Sequence, residues 1–305
     1  MNSVEISVIV PSYHHSSKLE KCIESLLNQG FDRSFEVIVV DSSTREIQIK
    51  VEQICKTDNR VKLIKKGHQV YPGSARNIGI RAASGSIIAF LDADCVADKN
   101  WLTNIYHHVD ENVILSGVIK NGTPNSILGT CSYLVDFSHF MDLREETKIV
   151  KAVPTCNFAC KKNLFEKNGY FPHVRAYEDF IFCHNFVAKG GKIIRRKDLV
   201  ITHQNRTELA SICQNEFLLG RFSAQGRMEH DLGPKTIFNL PFLSFFLVAY
   251  RFTSILSRMP FGWRLLKYLL YTPLVLFLLG YWSSGFYTGI KTFTISRDLV
   301  FDSSV

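Results

Sequence analysis

Residues Ser86 to Leu91 are mostly apolar, with Ile87 and Ile88 adjacent, and the run stops at Asp92-Ala93-Asp94. A run this short, apolar without alternation, predicts a strand buried on both faces, as in the parallel sheets of α/β proteins. In an open α/β sheet, ligands bind outside the carboxyl ends of the strands. Two carboxylates at that edge form a hard oxygen site suited to Mg²⁺ or Mn²⁺, ions that keep several waters and take further ligands from substrate phosphates. The stretch thus predicts a metal-bridged nucleotide diphosphate. Taken alone, a D-x-D triplet equally fits a strand that ends in a solvated acidic turn.

The chain before it repeats the same plan. Ile6–Val10 predicts a first strand, ended by Pro11-Ser12-Tyr13. Ser17-Lys-Leu-Glu20 has the pattern of a capping box. Leu19, Cys22, Ile23, Leu26 and Leu27 then mark one buried helix face, closed by Gly30. Glu36–Val40 predicts a second strand ending on Asp41; Ile47, Val51 and Ile54 mark a second helix; Val61–Ile64 predicts a third strand. Pro72-Gly73-Ser74 opens a third helix, capped by Gly73 or Ser74, that runs to Ala83. Strands alternating with helices predict a parallel sheet with right-handed crossovers. Asp41, Asp92, Asp94 and Pro11 to Tyr13 then share one sheet edge.

After Asp98 the pattern loosens. Trp101, Leu102 and Ile105 suggest a helix, Val113–Val118 a strand, and Ile149–Pro154 another; Ser126–Met141 is amphipathic and ambiguous. Lys162–Asn168 and Glu178–Lys189 predict helices, the second with Glu178 and Asp179 in its first turn. Lys192–Arg195 and Leu199–Thr202 are short strand candidates, His203 follows, and Glu208–His230 predicts a long polar helix.

The C-terminal part differs in composition. Residues 191–305 carry +7 of the chain's net charge of +8. Thr236–Tyr250 and Tyr268–Ile290 contain no charged residue over 15 and 23 positions. Basic residues beside long apolar runs point to an anionic membrane surface rather than to nucleic acid. Only the second run is long enough to cross a bilayer, and Pro273, Gly280, Ser283, Ser284 and Gly285 interrupt it. Arg251, Arg258, Arg264 and Lys267 lie between the runs. The positive-inside rule would keep them in the cytoplasm, whereas one full crossing after a cytosolic domain would export them. The conflict favours segments lying in the interface; two spans, or a buried helical hairpin of a soluble dimer, are the alternatives. The eight cysteines show no C-x-x-C pair and read as reduced thiols of a cytosolic domain. No N-terminal stretch reads as a signal peptide, so Asn121-Gly-Thr and Asn205-Arg-Thr are discounted as glycosylation sites.

Five segments recur in a familiar order: Ser7-Val-Ile-Val-Pro-Ser-Tyr13, Val37-Ile-Val-Val-Asp-Ser-Ser43, Ala75-Arg-Asn-Ile-Gly79, Ala83-Ser-Gly85 and Ile88-Ala-Phe-Leu-Asp-Ala-Asp94. Together they resemble the nucleotide-binding half of the family-2 inverting glycosyltransferases of GT-A fold. The likeness continues through Asn157-Phe-Ala and Phe165–Phe171 to Glu178-Asp179. It implies a mostly parallel α/β sheet with helices on both faces, followed here by apolar C-terminal helices. The expected division is a catalytic domain over 1–205 (nucleotide half 1–98, acceptor half 99–205), a linking helix over 206–235, and membrane-associated helices over 236–305.

The resemblance also implies roles. Pro11 and Tyr13 would line the base and ribose pocket, and Asp41 would accept a hydrogen bond from base or ribose. Arg76 would face the diphosphate, Asp92 the ribose or metal, and Glu178 the substrate. Asp94 and His203 would hold Mg²⁺ or Mn²⁺, and Asp179 would be the general base. Each has a plainer reading: Asp41 can cap the helix after it, Glu178 and Asp179 can complement a helix dipole, and His203 can be structural. Thr155 and Cys156 stand where the family often has two glycines, which leaves acceptor contacts open. The Q-x-x-R-W motif of processive synthases is absent, so one sugar per encounter is expected. The implied partners are a nucleotide-diphosphate sugar, a glycan or lipid-linked acceptor of the cell envelope, and the cytoplasmic face of the membrane. A sugar-1-phosphate nucleotidyltransferase would show a Gly-rich basic loop after the first strand, which Pro11-Ser-Tyr-His-His15 is not. A non-catalytic binding protein with a decayed site would have lost its acidic residues, and Asp41, Asp92, Asp94 and Asp179 are all present.

Overall fold

The alternation of apolar runs becomes, in the computed structural model, β1 (Ile6–Ser12), α1 (Ser16–Leu27), β2 (Phe35–Asp41), α2 (Arg45–Cys55), β3 (Val61–Lys65), α3 (Pro72–Ala82) and β4 (Ile87–Phe90). There follow β5 (Cys95–Ala97), α4 (Trp101–His108), β6 (Val113–Asn121), α5 (Ile127–Phe137), β7 (Thr147–Val150), β8 (Phe158–Lys161), α6 (Asn163–Asn168), α7 (Glu178–Ala188) and β9 (Lys192–His203). The structure describes residues 4–14, 16–142, 145–233, 235–259 and 269–302. Two units are distinguishable: Met1–Gly122 with Phe140–Gln204, and Thr123–His139 with Asn205–Val305.

The first unit is built on one sheet of order β3-β2-β1-β4-β8-β6-β9-β5, with β7 also paired to β9 and helices on both sides. The expectation of a mostly parallel sheet needs correction. β1 to β4 are parallel neighbours, but β8 runs antiparallel to β4 and β6, and β5 and β7 run antiparallel to β9. β5 and β8 are three and four residues long, too short to show a hydrophobic period. The two predicted strands at 192–202 are one strand; Arg196-Lys197-Asp198 breaks the apolar pattern without breaking the backbone. Helix α1 begins at Ser16, one residue before the predicted Ser17 cap, and α3 begins with Pro72 at its first turn.

Buried polar contacts fix the strand register. At the amino edge, the Glu36 carboxylate accepts from Ser7 Oγ (2.6 Å) and from the Ser84 amide (2.6 Å), and pairs with Lys62 Nζ (2.5 Å). The Gly85 amide donates to Ser7 Oγ at 2.8 Å, which gives the Ala83-Ser-Gly85 segment its role. Asn157, 1% exposed, works in the second half. Its Oδ1 accepts from Trp101 Nε1 (3.0 Å), while its Nδ2 donates to the carbonyls of Val118 (3.3 Å) and Leu199 (3.1 Å). One side chain thereby joins α4, β6 and β9.

Beneath the carboxyl edge lies a phenylalanine cluster. Phe90, Phe158, Phe165, Phe171 and Phe182 pack with ring centroids as close as 4.7 Å (Phe171 to Phe182). Each such pair contributes about 0.5–1.5 kcal/mol beyond area burial. The cluster packs β4 and β8 against α6 and α7. Asn77 adds a reciprocal clamp, donating to the Phe171 carbonyl (2.8 Å) and accepting from the Phe171 amide (3.1 Å).

The second unit is helical: α5 together with α8 (Leu209–Glu229), α9 (Lys235–Asn239), α10 (Phe246–Leu256) and α11 (Thr272–Asp302). Helices α8 and α11 meet backbone to backbone. A Cβ at Gly220 would collide with the Trp282 carbonyl oxygen, and Cβ atoms at Gly285 and Gly289 would collide with the carbonyl oxygens of Phe217 and Arg221. Of the glycines that interrupt the second apolar run, Gly285 is therefore a packing position, whereas Gly280 has open space beside it. Among the described residues no helix is long and apolar enough to cross a membrane. Arg264, Lys267 and the first residue of that run, Tyr268, lie outside the described residues.

Removing the Asn157 amide leaves the Trp101 indole N–H without its acceptor and two buried carbonyls without this donor. We expect Asn157→Ala to lower stability by roughly 2–3 kcal/mol, read as a reduced urea midpoint with unchanged slope. An unchanged midpoint would remove Asn157 from this account of the fold.

Candidate active site

The carboxyl ends of β1, β2 and β4, together with the start of α7 and the end of β9, carry every residue singled out in the sequence except Arg76, which comes from α3. Arg76 is the centre of one group. It is 3% exposed; its Nη2 lies 2.6 Å from Asp92 Oδ1 and its Nη1 lies 2.8 Å from Glu178 Oε1. A planar guanidinium can hold two carboxylates in fixed geometry. Arg76 thus ties the strand-end motif to a residue 102 positions downstream. Its donors at Nη1 and Nη2 hold the protein's own acids, Asp92 and Glu178.

Glu178 and Asp179 open α7, where the helix dipole favours negative charge. The preceding Tyr177 has φ 74° and ψ 7°, a left-handed conformation rare for a residue with a side chain. Such backbone costs about 1–3 kcal/mol and collects at functional sites. The Tyr177 ring stacks on Phe180 at 4.5 Å. Gly73 gives Glu178 its room: a Cβ there would stand 2.9 Å from Glu178 Cγ. Burial, then the neighbouring Asp179 charge, pushes Glu178 up to about 7, against the pull of Arg76. Burial likewise raises Asp179, countered by Arg76 and by the Phe180 amide. The two acids titrate together.

A second group gathers around Asp94. His203 Nε2 lies 3.4 Å from Asp94 Oδ1, and Lys18 Nζ lies 3.9 Å from Asp94 Oδ2. Asp94, Cys95 and His203 each bring a donor atom within 4.8 Å of the others, a carboxylate oxygen, a thiol sulfur and an imidazole nitrogen. That donor set fits a divalent cation. Lys18 also donates to the Gln204 carbonyl at 2.7 Å.

Pro11, Tyr13 and Asp41 stand apart from both groups. Tyr13 is 40% exposed and edge-packed on His14 at 4.3 Å. Asp41 is fully buried, and its carboxylate accepts from the Ser43 amide (3.1 Å) and Ser43 Oγ (2.8 Å), holding the turn from β2 into α2. A groove of about 610 Å³ beside that turn is lined by Arg45, Gln48, Ile49, Lys65 and Lys66, among others. None of the predicted site residues lines it.

Sequence reasoning overlooked Lys18, Cys95, Gly73 and Tyr177. Lys18 had a legible signal, since the first turn of the helix after β1 must lie at the carboxyl edge. Tyr177 had none, because a left-handed tyrosine has no sequence signature.

The family profile described as "Glycosyl transferase family 2" matches residues 7–169, more than half of the chain. The chain belongs to glycosyl transferase family 2. It is a glycosyltransferase with a sheet of the GT-A type. Glycosyltransferase AglE of Haloferax volcanii is 24% identical over 240 residues, covering 77% of this chain and 78% of that one. Among solved structures, mannosyltransferase PcManGT from Pyrobaculum calidifontis, in complex with GDP-Man and Mn²⁺, superposes with a TM-score of 0.61 at 17% identity, over 97% of this chain and 87% of that one. S. aureus TarS 1-349 in complex with UDP-GlcNAc gives 0.55 at 18%, over 96% and 92%. Both likenesses show the fold.

For a family-2 transferase with this arrangement, the acid limb of kcat/KM should lie above the ordinary carboxylate range if the Glu178-Asp179 pair supplies the base, because a base must be ionised to act and burial raises this pair. Arg76→Met removes the cation that draws both acids down, so the limb should move to higher pH as the rate falls. A limb at ordinary carboxylate values in both proteins would show that the Glu178-Asp179 pair does not control the rate.

Proposed function

We propose that this chain transfers a single sugar from a nucleotide-diphosphate sugar to an acceptor hydroxyl, with inversion at the anomeric carbon. The observation that carries the reading is the convergence at one sheet edge of two groups, Asp94 with His203, and Arg76 with Asp92 and Glu178, the latter beside Asp179. Mg²⁺ or Mn²⁺ held by Asp94 and His203 would supply charge neutralisation for a departing diphosphate. Asp179 takes the proton of the acceptor hydroxyl as its oxygen bonds to the anomeric carbon. The bond from that carbon to the phosphate oxygen breaks, and the nucleoside diphosphate leaves with the electron pair. Arg76 and Glu178 hold Asp92 toward the donor, and Pro11, Tyr13 and Asp41 shape the base and ribose end. The structural neighbours bound to GDP-Man and to UDP-GlcNAc support this donor class. A decayed, purely binding site is disfavoured because its acidic residues remain and are held in charged contacts.

The helical unit suits an acceptor presented at a membrane. Phe246 and Tyr250 are each 70% exposed, with Phe242, Phe245, Phe277 and Tyr281 also exposed on the same unit. With the basic C-terminal composition, these side chains support in-plane contact with the anionic cytoplasmic face of the cell membrane. The acceptor is then a lipid-linked or cell-envelope glycan.

Thermal unfolding with UDP, GDP, dTDP and CDP, each with and without Mn²⁺, tests the donor reading. One nucleotide should raise the midpoint only with metal and only when Asp94 is intact, since ligand bound to the native state stabilises it. Absence of any shift in folded protein would defeat the reading, with Asp94→Asn as control. For the membrane, wild type should sediment with anionic but not zwitterionic vesicles, less so at high salt, and Phe246→Glu/Tyr250→Glu should stay in solution. Equal recovery of both proteins would reject this face as the contact.

A further inference from the structure

Three of the eight cysteines, Cys22, Cys95 and Cys156, are buried in the electrostatic field of Asp92 and Asp94. They differ in what they face. Cys22 Sγ donates to the Asp92 carbonyl at 3.6 Å and lies outside the donor set around Asp94. Cys95 lies inside that set. It follows Asp94 directly, and β5 pairs it across the ladder with His203 of β9. Residues directly opposite in adjacent strands project from the same sheet face and are side-chain neighbours. Cys95 Sγ lies 4.0 Å from Asp94 Oδ1, the same oxygen that His203 Nε2 approaches at 3.4 Å. Ligands about 2.0–2.3 Å from one ion stand roughly 3–4 Å from one another. Lys18 approaches the other oxygen, Oδ2. Oδ1 is therefore the atom that imidazole and thiol share.

We propose that Cys95 is a third protein donor, with Asp94 and His203, to the divalent cation of this enzyme, and that its sulfur biases the site toward ions that accept nitrogen and sulfur and away from Mg²⁺. This rests on the cation reading above. When the ion binds, a sulfur-to-metal bond forms and the thiol proton leaves to solvent, as metal coordination to a thiol requires. A carboxylate-and-water site would accept Mg²⁺ readily; an imidazole and a thiolate in the same shell move the preference along the divalent series toward Co²⁺ and Zn²⁺.

Cobalt(II) titration of the full chain under anaerobic conditions, followed by absorbance, tests this without substrate. The wild type should show visible d–d bands at one equivalent together with a near-ultraviolet sulfur-to-cobalt charge-transfer band. Asp94→Asn should lose both. Cys95→Ser should keep the d–d bands and lose the charge-transfer band, and its Co²⁺-over-Mg²⁺ affinity ratio should fall at least about tenfold, the low end of what even an outer-shell partner costs. Cys22→Ser should resemble wild type. Cobalt bound by wild type without the sulfur band would overturn the role of Cys95 and leave the cation reading standing. A sulfur band that survives Cys95→Ser would overturn it equally. Folded wild type that binds no cobalt would overturn the proposal together with the cation reading. Should Cys95→Ser fail to fold, the wild-type and Asp94→Asn spectra still decide whether sulfur is a ligand at this site.

Discussion

A buried guanidinium that cannot lose its charge sets the terms for the rest of the site. Taking Arg76 out of water is costly unless its charge is met by well-placed partners. Asp92 and Glu178 meet it, and in doing so they join the first half of the sheet to α7 of the second. With Asp179 adjacent, three acids surround one cation. Burial first, and the neighbouring acids next, raise Glu178 and Asp179 above the usual carboxylate range against the pull of Arg76. A group able to take up a proton near physiological pH thus follows from a structural tie, with no dedicated tuning residue.

The first half of the fold was legible because its elements are long enough to carry a period. Leu19, Cys22, Ile23 and Leu26 are all buried, as their spacing requires, and Asp41, Asp92 and Asp94 reach the same edge because parallel strands share a direction. The second half was less legible for a physical reason. β5 and β8 are held by pairing with distant strands, interactions that leave no local pattern, and only the end of β7 falls within the strand expected at Ile149–Pro154. The antiparallel turnover of the sheet therefore escaped a reading based on alternation.

Within the site, residue types were readable and their partners were not. Arg76 is marked in the sequence by the family resemblance, which says nothing about its pairing with Glu178. For Asp41 the sequence leaves a nucleotide contact and a local turn both open; in the structure its oxygens accept from Ser43, two residues away. Glu178 could be read as helix-dipole charge alone; in the structure it lies against Gly73, which has space for it only because glycine has no side chain. Such relations are three-dimensional, and sequence spacing constrains them weakly.

The contact between α8 and α11 has a consequence for how such a protein can diversify. Where two helices touch through main-chain atoms at Gly220, Gly285 and Gly289, their spacing is set by the backbone and not by the bulk of neighbouring side chains. Phe246 and Tyr250 lie outside that contact, each 70% exposed. Substitutions there can change the exposed face while the spacing of α8 and α11 stays set by the main chain, so that surface chemistry can drift without altering the scaffold's dimensions.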